Sequence, residues 1–210
     1  MFLRLKPHIS LLIVVLFSGC AYYNTFYNAQ EYYDEAEKLR LEKDGESIPI
    51  SAMDKYGKTI IKCQKVIEEF PESKYVKQAY LLMGKSRYYR SDYDLAIDNL
   101  NLVMNEGSPK VIEEARYWRA LCKWKKGSVS AGLGELNDLL DRSGSKDIRA
   151  KCYLSLAEIA KESKDLDLSL SYLQEAGKLT VNRNEKGVIY GRLSEMAFNR
   201  QDYTLATEGF

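Results

Sequence analysis

Asp92-Tyr93-Asp94-Leu95-Ala96-Ile97, followed by Leu100 and Val103, is a phrase that the chain repeats. Asp202-Tyr203-Thr204-Leu205-Ala206 copies it, followed by Phe210. Asp165-Leu166-Asp167-Leu168-Ser169-Leu170 lies between them, followed by Leu173 and Ala176. Weaker copies are Ser128-Val129-Ser130-Ala131-Gly132-Leu133, before Leu136 and Leu139, and Lys55-Tyr56-Gly57-Lys58-Thr59-Ile60, before Cys63 and Val66. Aligned on one small residue, the copies give Thr59, Ala96, Gly132, Ser169 and Ala206, at spacings of 37, 36, 37 and 37. An apolar residue lies three before each. Further ones lie four and seven after where the chain continues, which is one face of a helix.

A second helical stretch precedes each copy from the second onward. Twelve residues before the small position stand Gly84, Ala120, Ala157 and Ser194, again all small. Each repeat thus reads as an antiparallel pair, helix A then helix B, meeting at small residues. The turns between A and B are Arg90-Ser91-Asp92, Lys126-Gly127-Ser128, Ser163-Lys164-Asp165 and Arg200-Gln201-Asp202. Their Asp or Ser is a suitable N-cap. Proline and glycine punctuate the junctions between repeats: Phe70-Pro71-Glu72-Ser73, Gly107-Ser108-Pro109 and Ser143-Gly144-Ser145.

This pattern resembles the tetratricopeptide repeat over roughly residues 51–210. The resemblance implies an all-α, right-handed superhelical solenoid of antiparallel helix pairs. The third repeat departs from the pattern, with Arg116 and Arg119 in helix A and Gly132 in helix B. A helical glycine costs about 1 kcal/mol against alanine, so this repeat is expected to be the least regular. The first is interrupted: a helix over Tyr22–Leu41 is followed by residues 42–51, with Gly45 and Pro49, read as an exposed loop. Phe210 falls inside the fifth helix B, so the last repeat reads as truncated.

The N-terminus carries a different signal. Arg4 and Lys6 precede an apolar run, Ile9 to Phe17, broken only by Ser10. Nine residues are too few to span a bilayer, which takes about 20, and the pattern is that of a cleaved signal peptide. Ser18-Gly19-Cys20 resembles the bacterial lipobox, although Phe17 stands where that family favours leucine. The resemblance implies a signal peptide over residues 1–19 and acylation of Cys20, such as with palmitate. A lipidated, aromatic-rich first helix and loop would follow over 20–51, then repeats over 52–210. Several acyl chains on one cysteine make a stable tether, and Ala21 leans toward the outer membrane. Tyr22, Tyr23, Phe26, Tyr27, Tyr32 and Tyr33 suit either a membrane interface or the buried face of the first helix. Packing is favoured for Tyr22, Phe26 and Tyr33.

Little in the chain points to catalysis. The only histidine, His8, lies inside the signal peptide. The chain from Cys20 onward therefore has no Ser-His-Asp or Cys-His catalysis and no histidine metal site. Gly132-Leu133-Gly134 lacks the third glycine and the strand of a phosphate loop. Glu68-Glu69 and Glu113-Glu114 are adjacent on helices and so point apart. Cys63, Cys122 and Cys152 read as small buried hydrophobes. Removing Arg4 and Lys6 leaves 29 basic and 30 acidic residues, which does not suit nucleic-acid binding. We therefore expect no enzyme, no cofactor and no metal.

What remains is surface. In the tetratricopeptide family the A helices line the concave face. On that register the partner-binding candidates are Lys85, Tyr88 and Tyr89 in the second repeat, Tyr117, Trp124 and Lys125 in the third, and Phe198 in the fifth. Rings beside lysines suit an extended peptide or a partner helix, or else pack between A helices. Trp118 is assigned to the core. The lipobox, the repeats and Phe70-Pro71-Glu72-Ser73-Lys74-Tyr75 together resemble the BamD-like family of outer-membrane lipoproteins. That resemblance implies a scaffold at the periplasmic face of the outer membrane, binding barrel-assembly components or unfolded outer-membrane proteins. Two alternatives stay open. One is a general envelope adaptor for secretion, polysaccharide export or division. The other is a lipid-anchored glycan-binding protein, which in its family carries a large insertion not visible here.

Overall fold

The computed structural model describes the backbone of residues 7–43 and 47–207, and the side chains of 24–43 and 47–207. Arg4, Lys6, Gly45 and Phe210 lie outside the described residues, as do the side chains of Cys20, Tyr22 and Tyr23. The described residues form ten α-helices and no strand. In chain order these are α1 (Pro7–Leu41), α2 (Ile50–Glu69), α3 (Val76–Tyr89), α4 (Tyr93–Met104), α5 (Pro109–Lys125), α6 (Val129–Arg142), α7 (Lys146–Glu162), α8 (Leu166–Leu179), α9 (Arg183–Asn199) and α10 (Tyr203–Thr207). Among the described residues no helix is long and apolar enough to cross a membrane. The chain divides into two compact units, Met1–Trp118 and Arg119–Phe210, with the boundary inside α5.

Unit 1 packs α1 on α2, α2 on α3 and α3 on α4, and α1 also touches α3. Helix α2 shows why. Its buried residues Ala52, Tyr56, Thr59, Cys63 and Val66 recur at spacings of three and four, so they form one stripe. They meet Ala29, Tyr33 and Ala36 of α1 and Ala79, Leu82 and Met83 of α3. The segment after α1 is not wholly exposed as expected, because Ile48 packs against this core and draws the connection down onto it. In unit 2, α6 packs on α7, α7 on α8, α8 on α9 and α9 on α10. One of its clusters joins Ala157, Leu170, Leu173, Ala176, Ile189, Leu193, Ala197 and Ala206.

All nine small positions predicted to join helix A to helix B are buried. The joints pair as the twelve-residue spacing requires. A Cβ on Gly84 would lie 3.4 Å from the carbonyl oxygen of Ala96, and one on Gly132 would lie 2.9 Å from that of Ala120. In the fourth repeat the Ser169 hydroxyl donates to the carbonyl of Ala157 at 2.9 Å.

The A-to-B turns repeat as faithfully. Ser91, Lys164 and Gln201 each have φ 63°, and Gly127, at the same place, has φ 90°. The following amides of Asp92, Ser128, Asp165 and Asp202 donate back five residues, to Arg87, Lys123, Ala160 and Ala197, at 2.9–3.0 Å. Each turn is therefore a Schellman closure, with a left-handed residue ending helix A. The N-cap expectation holds for two of the four turns. Asp165 accepts from the Leu168 amide and Asp202 from the Leu205 amide, whereas Asp92 and Ser128 make no side-chain cap bond.

The third repeat is not irregular in backbone, contrary to expectation. Helices α5 and α6 have 17 and 14 residues, the same lengths as α7 and α8. Gly132 is what lets α6 lie against the α5 backbone, and the out-of-pattern Arg119 is met by Glu135 at 2.7 Å. Lys123 reaches the same carboxylate at 2.6 Å.

Candidate functional site

With the small residues committed to the joints, the larger side chains of the A helices decide what each unit presents. In unit 1 they join Tyr56 of α2, a helix B, in a connected field of rings. Tyr89 stacks on Tyr56 at 4.9 Å, and Tyr56 lies 5.8 Å from Tyr33. Edge contacts then run from Tyr89 and Tyr88 to Trp118, at 5.5 and 5.3 Å, and from Trp118 to Tyr117 at 5.6 Å. Lys85 sits over two of these rings, 4.8 Å from Tyr33 and 5.5 Å from Trp118, and pairs with Glu114 at 3.0 Å. Edge-to-face rings and a lysine over a ring face are each favourable arrangements of the aromatic quadrupole.

A polar knot lies beneath. The Tyr56 hydroxyl donates to Glu37, and Arg40 pairs with the same carboxylate at 2.8 Å. The Arg40 guanidinium also lies 4.7 Å over Tyr89. Burial, and secondarily neighbouring groups including Glu37, hold Tyr33, Tyr56 and Tyr89 well above the ordinary tyrosine range. These hydroxyls stay neutral and serve as donors and packing surface. For Arg40, burial works against the charge, but the bond to Glu37 and nearby groups outweigh it and raise the pKa.

The candidates of the second and third repeats thus divide by depth. Lys85, Tyr88, Tyr89 and Trp118 are half-buried, and Tyr117 is 9% exposed. Trp118, expected in the core, keeps part of its surface because Lys85 and the flanking tyrosines crowd only some of it. In unit 2, Trp124 is half-buried with the Lys125 ammonium 3.6 Å over its ring, and Lys125 pairs with Glu162 at 3.1 Å. Phe198 is 62% exposed and meets Tyr203 edge-on at 5.7 Å.

Three residues of this site are not singled out by sequence reasoning: Glu37, Arg40 and Tyr56. A glutamate and an arginine three apart on a helix are a weak signal for the pair. Nothing in the sequence places Tyr56 on them.

The cysteines behave as expected. Cys63, Cys122 and Cys152 are buried and form no disulfide among the described residues. Burial raises the Cys63 thiol and pushes Cys122 up to about 12, so neither is a thiolate nucleophile at neutral pH. Among the described residues no group of histidine, cysteine, aspartate and glutamate is gathered to hold a metal ion.

The Phe70–Tyr75 junction now has a physical reading. Ser73 accepts the Tyr75 amide at 3.2 Å, and the Tyr75 ring stacks on Phe26 of α1 at 5.0 Å. The motif thus ties the α2–α3 turn to the first helix. Of the early rings, Tyr33 is 5% exposed, Phe26 is half-buried, and Tyr27 is 55% exposed.

No family model matches the chain, and no curated protein matches it. Among solved structures, one described as "MamA RS-1 ArsTM double mutant" is similar at 16% identity and a TM-score of 0.49. The match covers 87% of this chain and 90% of that one. A likeness at that level carries nothing about activity or partners, and the chain's own geometry has the last word: it is an all-α array of helix pairs joined at small residues.

Proposed function

We propose that the chain is a non-catalytic scaffold lipoprotein. Acyl groups on Cys20 would hold it at the periplasmic face of the outer membrane. Its partners would be components or clients of β-barrel assembly, as in the BamD-like family. The observation that carries the scaffold reading is the division of labour along each A helix. Small residues are consumed in the joints, while half-buried rings and lysines, Lys85, Tyr88, Trp118 and Trp124, retain free surface. Rigid rings positioned by a packed scaffold lose little freedom on binding and suit protein recognition. The protonated buried thiols support a role without covalent chemistry. The tether and the barrel-assembly role rest on the lipobox and on the Phe70–Tyr75 junction.

Depletion tests the barrel-assembly role: outer-membrane barrel proteins should fall, and unchanged levels would sink that role. Affinity capture of the native lipoprotein should then recover barrel-assembly components. For the recognition surface, Tyr88→Ala and Trp124→Ala should each weaken capture of such a partner by roughly tenfold or more, the size of a hot-spot loss. The melting temperature should shift much less. Equal loss of binding and stability would make these rings packing residues instead.

A further inference from the structure

The seam between α1 and α2 carries a row of lysines that the ring field does not use. Lys55, Lys58, Lys62 and Lys65 follow one another at spacings of three, four and three, so they share one side of α2. That side flanks the buried stripe and borders α1. Lys55 is bonded to Glu35, and Lys55 and Lys58 lie 5.3 and 5.7 Å over the Tyr32 ring. These contacts fix the antiparallel register of the two helices. On that register Lys62 falls level with Asn28, and Lys65 with Thr25. Each lysine is thus nearer than the last to the N-terminal half of α1.

The charges along the row are not balanced evenly. Glu35 is bonded to Lys55, and Glu31, which by the same register lies level with Thr59, adds its field to Lys55. Lys65 reaches Glu69 only at 3.7 Å, with both side chains half-exposed. Among the described residues, Lys58 and Lys62 have no carboxylate within ion-pair distance. The lysines without an ion pair, Lys58 and Lys62, therefore lie beyond Lys55 in the direction that points back along α1. Helix α1 is continuous through Cys20, which lies about 7.5 Å beyond Thr25 at 1.5 Å per residue.

We propose that this lysine seam docks on the anionic phospholipid headgroups of the membrane that holds the N-terminus, and so sets how the helical array stands on that membrane. The inference rests on the Cys20 tether proposed above. Three lysines would not recruit a free protein, since surface patches that do so use four to eight. A tether changes this, because it makes headgroup contact intramolecular. Each lysine near an anionic surface then biases orientation by roughly fivefold, and salt screens the effect.

The test uses the full chain purified from cell membranes and reconstituted in vesicles of phosphatidylcholine, with or without 30% phosphatidylglycerol. A soluble amine reagent reports the modification rates of Lys58, Lys62 and Lys65. Lys151 and Lys178, on unit 2, serve as references. The seam lysines should slow at least threefold on the anionic vesicles alone, recover in 0.5 M salt, and leave the references unchanged. Combined Lys58→Glu, Lys62→Glu and Lys65→Glu should reverse the bias, read as faster modification of Lys55 on anionic vesicles, with helix content intact. Equal seam rates on both vesicles overturn the docking. Slowing of the same size with inorganic phosphate and no vesicle also overturns it, leaving a free-anion site. The mass of the Cys20 peptide separates the two readings: a seam that does not slow on an acylated chain sinks the docking alone, whereas an unacylated Cys20 sinks both.

Discussion

Unit 1 and unit 2 build the same helix pair with different materials. Unit 1 is held by rings around a half-buried ion pair: Tyr33, Tyr56, Tyr89 and Trp118 about Glu37 and Arg40. Unit 2 has a core of leucine, isoleucine and alanine, closed where backbones nearly touch at Gly132 and Ser169. The difference teaches that the repeat dictates where helices meet but not what holds them. A ring network concentrates stability in a few large side chains. A close backbone joint spreads it over many small contacts, each intolerant of added volume.

The first way to break the contrast is Tyr56→Ala. Tyr56 is fully buried and joins α1, α2 and α3. Its loss leaves a cavity and takes a donor from Glu37, for an expected cost of about 3–5 kcal/mol. Native-state hydrogen exchange should show the loss in α2 and α3. Equal loss in α7 and α8 would mean that the two units unfold as one.

Gly132→Ala comes next. The new methyl would meet the Ala120 carbonyl oxygen at 2.9 Å and the Trp124 amide nitrogen at 3.1 Å, both backbone. Helices α5 and α6 must separate, at a cost of about 1–3 kcal/mol, partly offset by about 1 kcal/mol of helix propensity. Chemical denaturation should show net destabilisation. A stabilised variant would show that the joint is slack.

A smaller effect separates two serines at repeat positions. Ser169→Ala removes the bond to the Ala157 carbonyl and should cost about 1 kcal/mol. Ser194, equally buried, has no partner for its hydroxyl among the described residues. Ser194→Ala should therefore be neutral or stabilising in the same denaturation experiment.

The last effect is absent at neutral pH. Tyr33, Tyr56 and Tyr89 have folded pKa values raised above the unfolded value near 10. Above that pH the native state holds more protons than the unfolded chain, so stability falls as pH rises. It is fully present below about pH 10. The buried thiols of Cys63 and Cys122 begin the same decline earlier, from about pH 8.5. Between pH 10 and 12, α2 and α3 should lose exchange protection before α8 and α9. The reverse order would remove the tyrosines as the cause.

The repeat register is legible because helix joints impose a size limit on particular positions, and size is written directly in residue identity. Thr59, Ala96, Gly132, Ser169 and Ala206 are all buried where the period puts them. The third repeat reads as irregular in sequence because Arg119 looks misplaced until Glu135, sixteen residues away, supplies its partner. The Tyr56–Glu37–Arg40 knot is illegible for a similar reason. It joins the first helix to the repeats, and no period links a residue of α1 to one of α2. The candidate surface is legible only as residue types: sequence places rings on A helices, but not the depth that leaves Trp118 half-buried and Tyr117 nearly covered.

The four Schellman turns have a consequence for how such a chain changes length. Each restarts the backbone in the same way, at residues 92, 128, 165 and 202, whatever side chains flank it. A cut and splice made between two such turns returns every later joint to register, so whole units can be gained or lost by duplication or deletion while partial ones cannot. Gly127 reaches the left-handed conformation at no steric cost, and Ser91, Lys164 and Gln201 do not. The second turn, at Gly127, is thus the natural template on which further copies of the unit could be grafted.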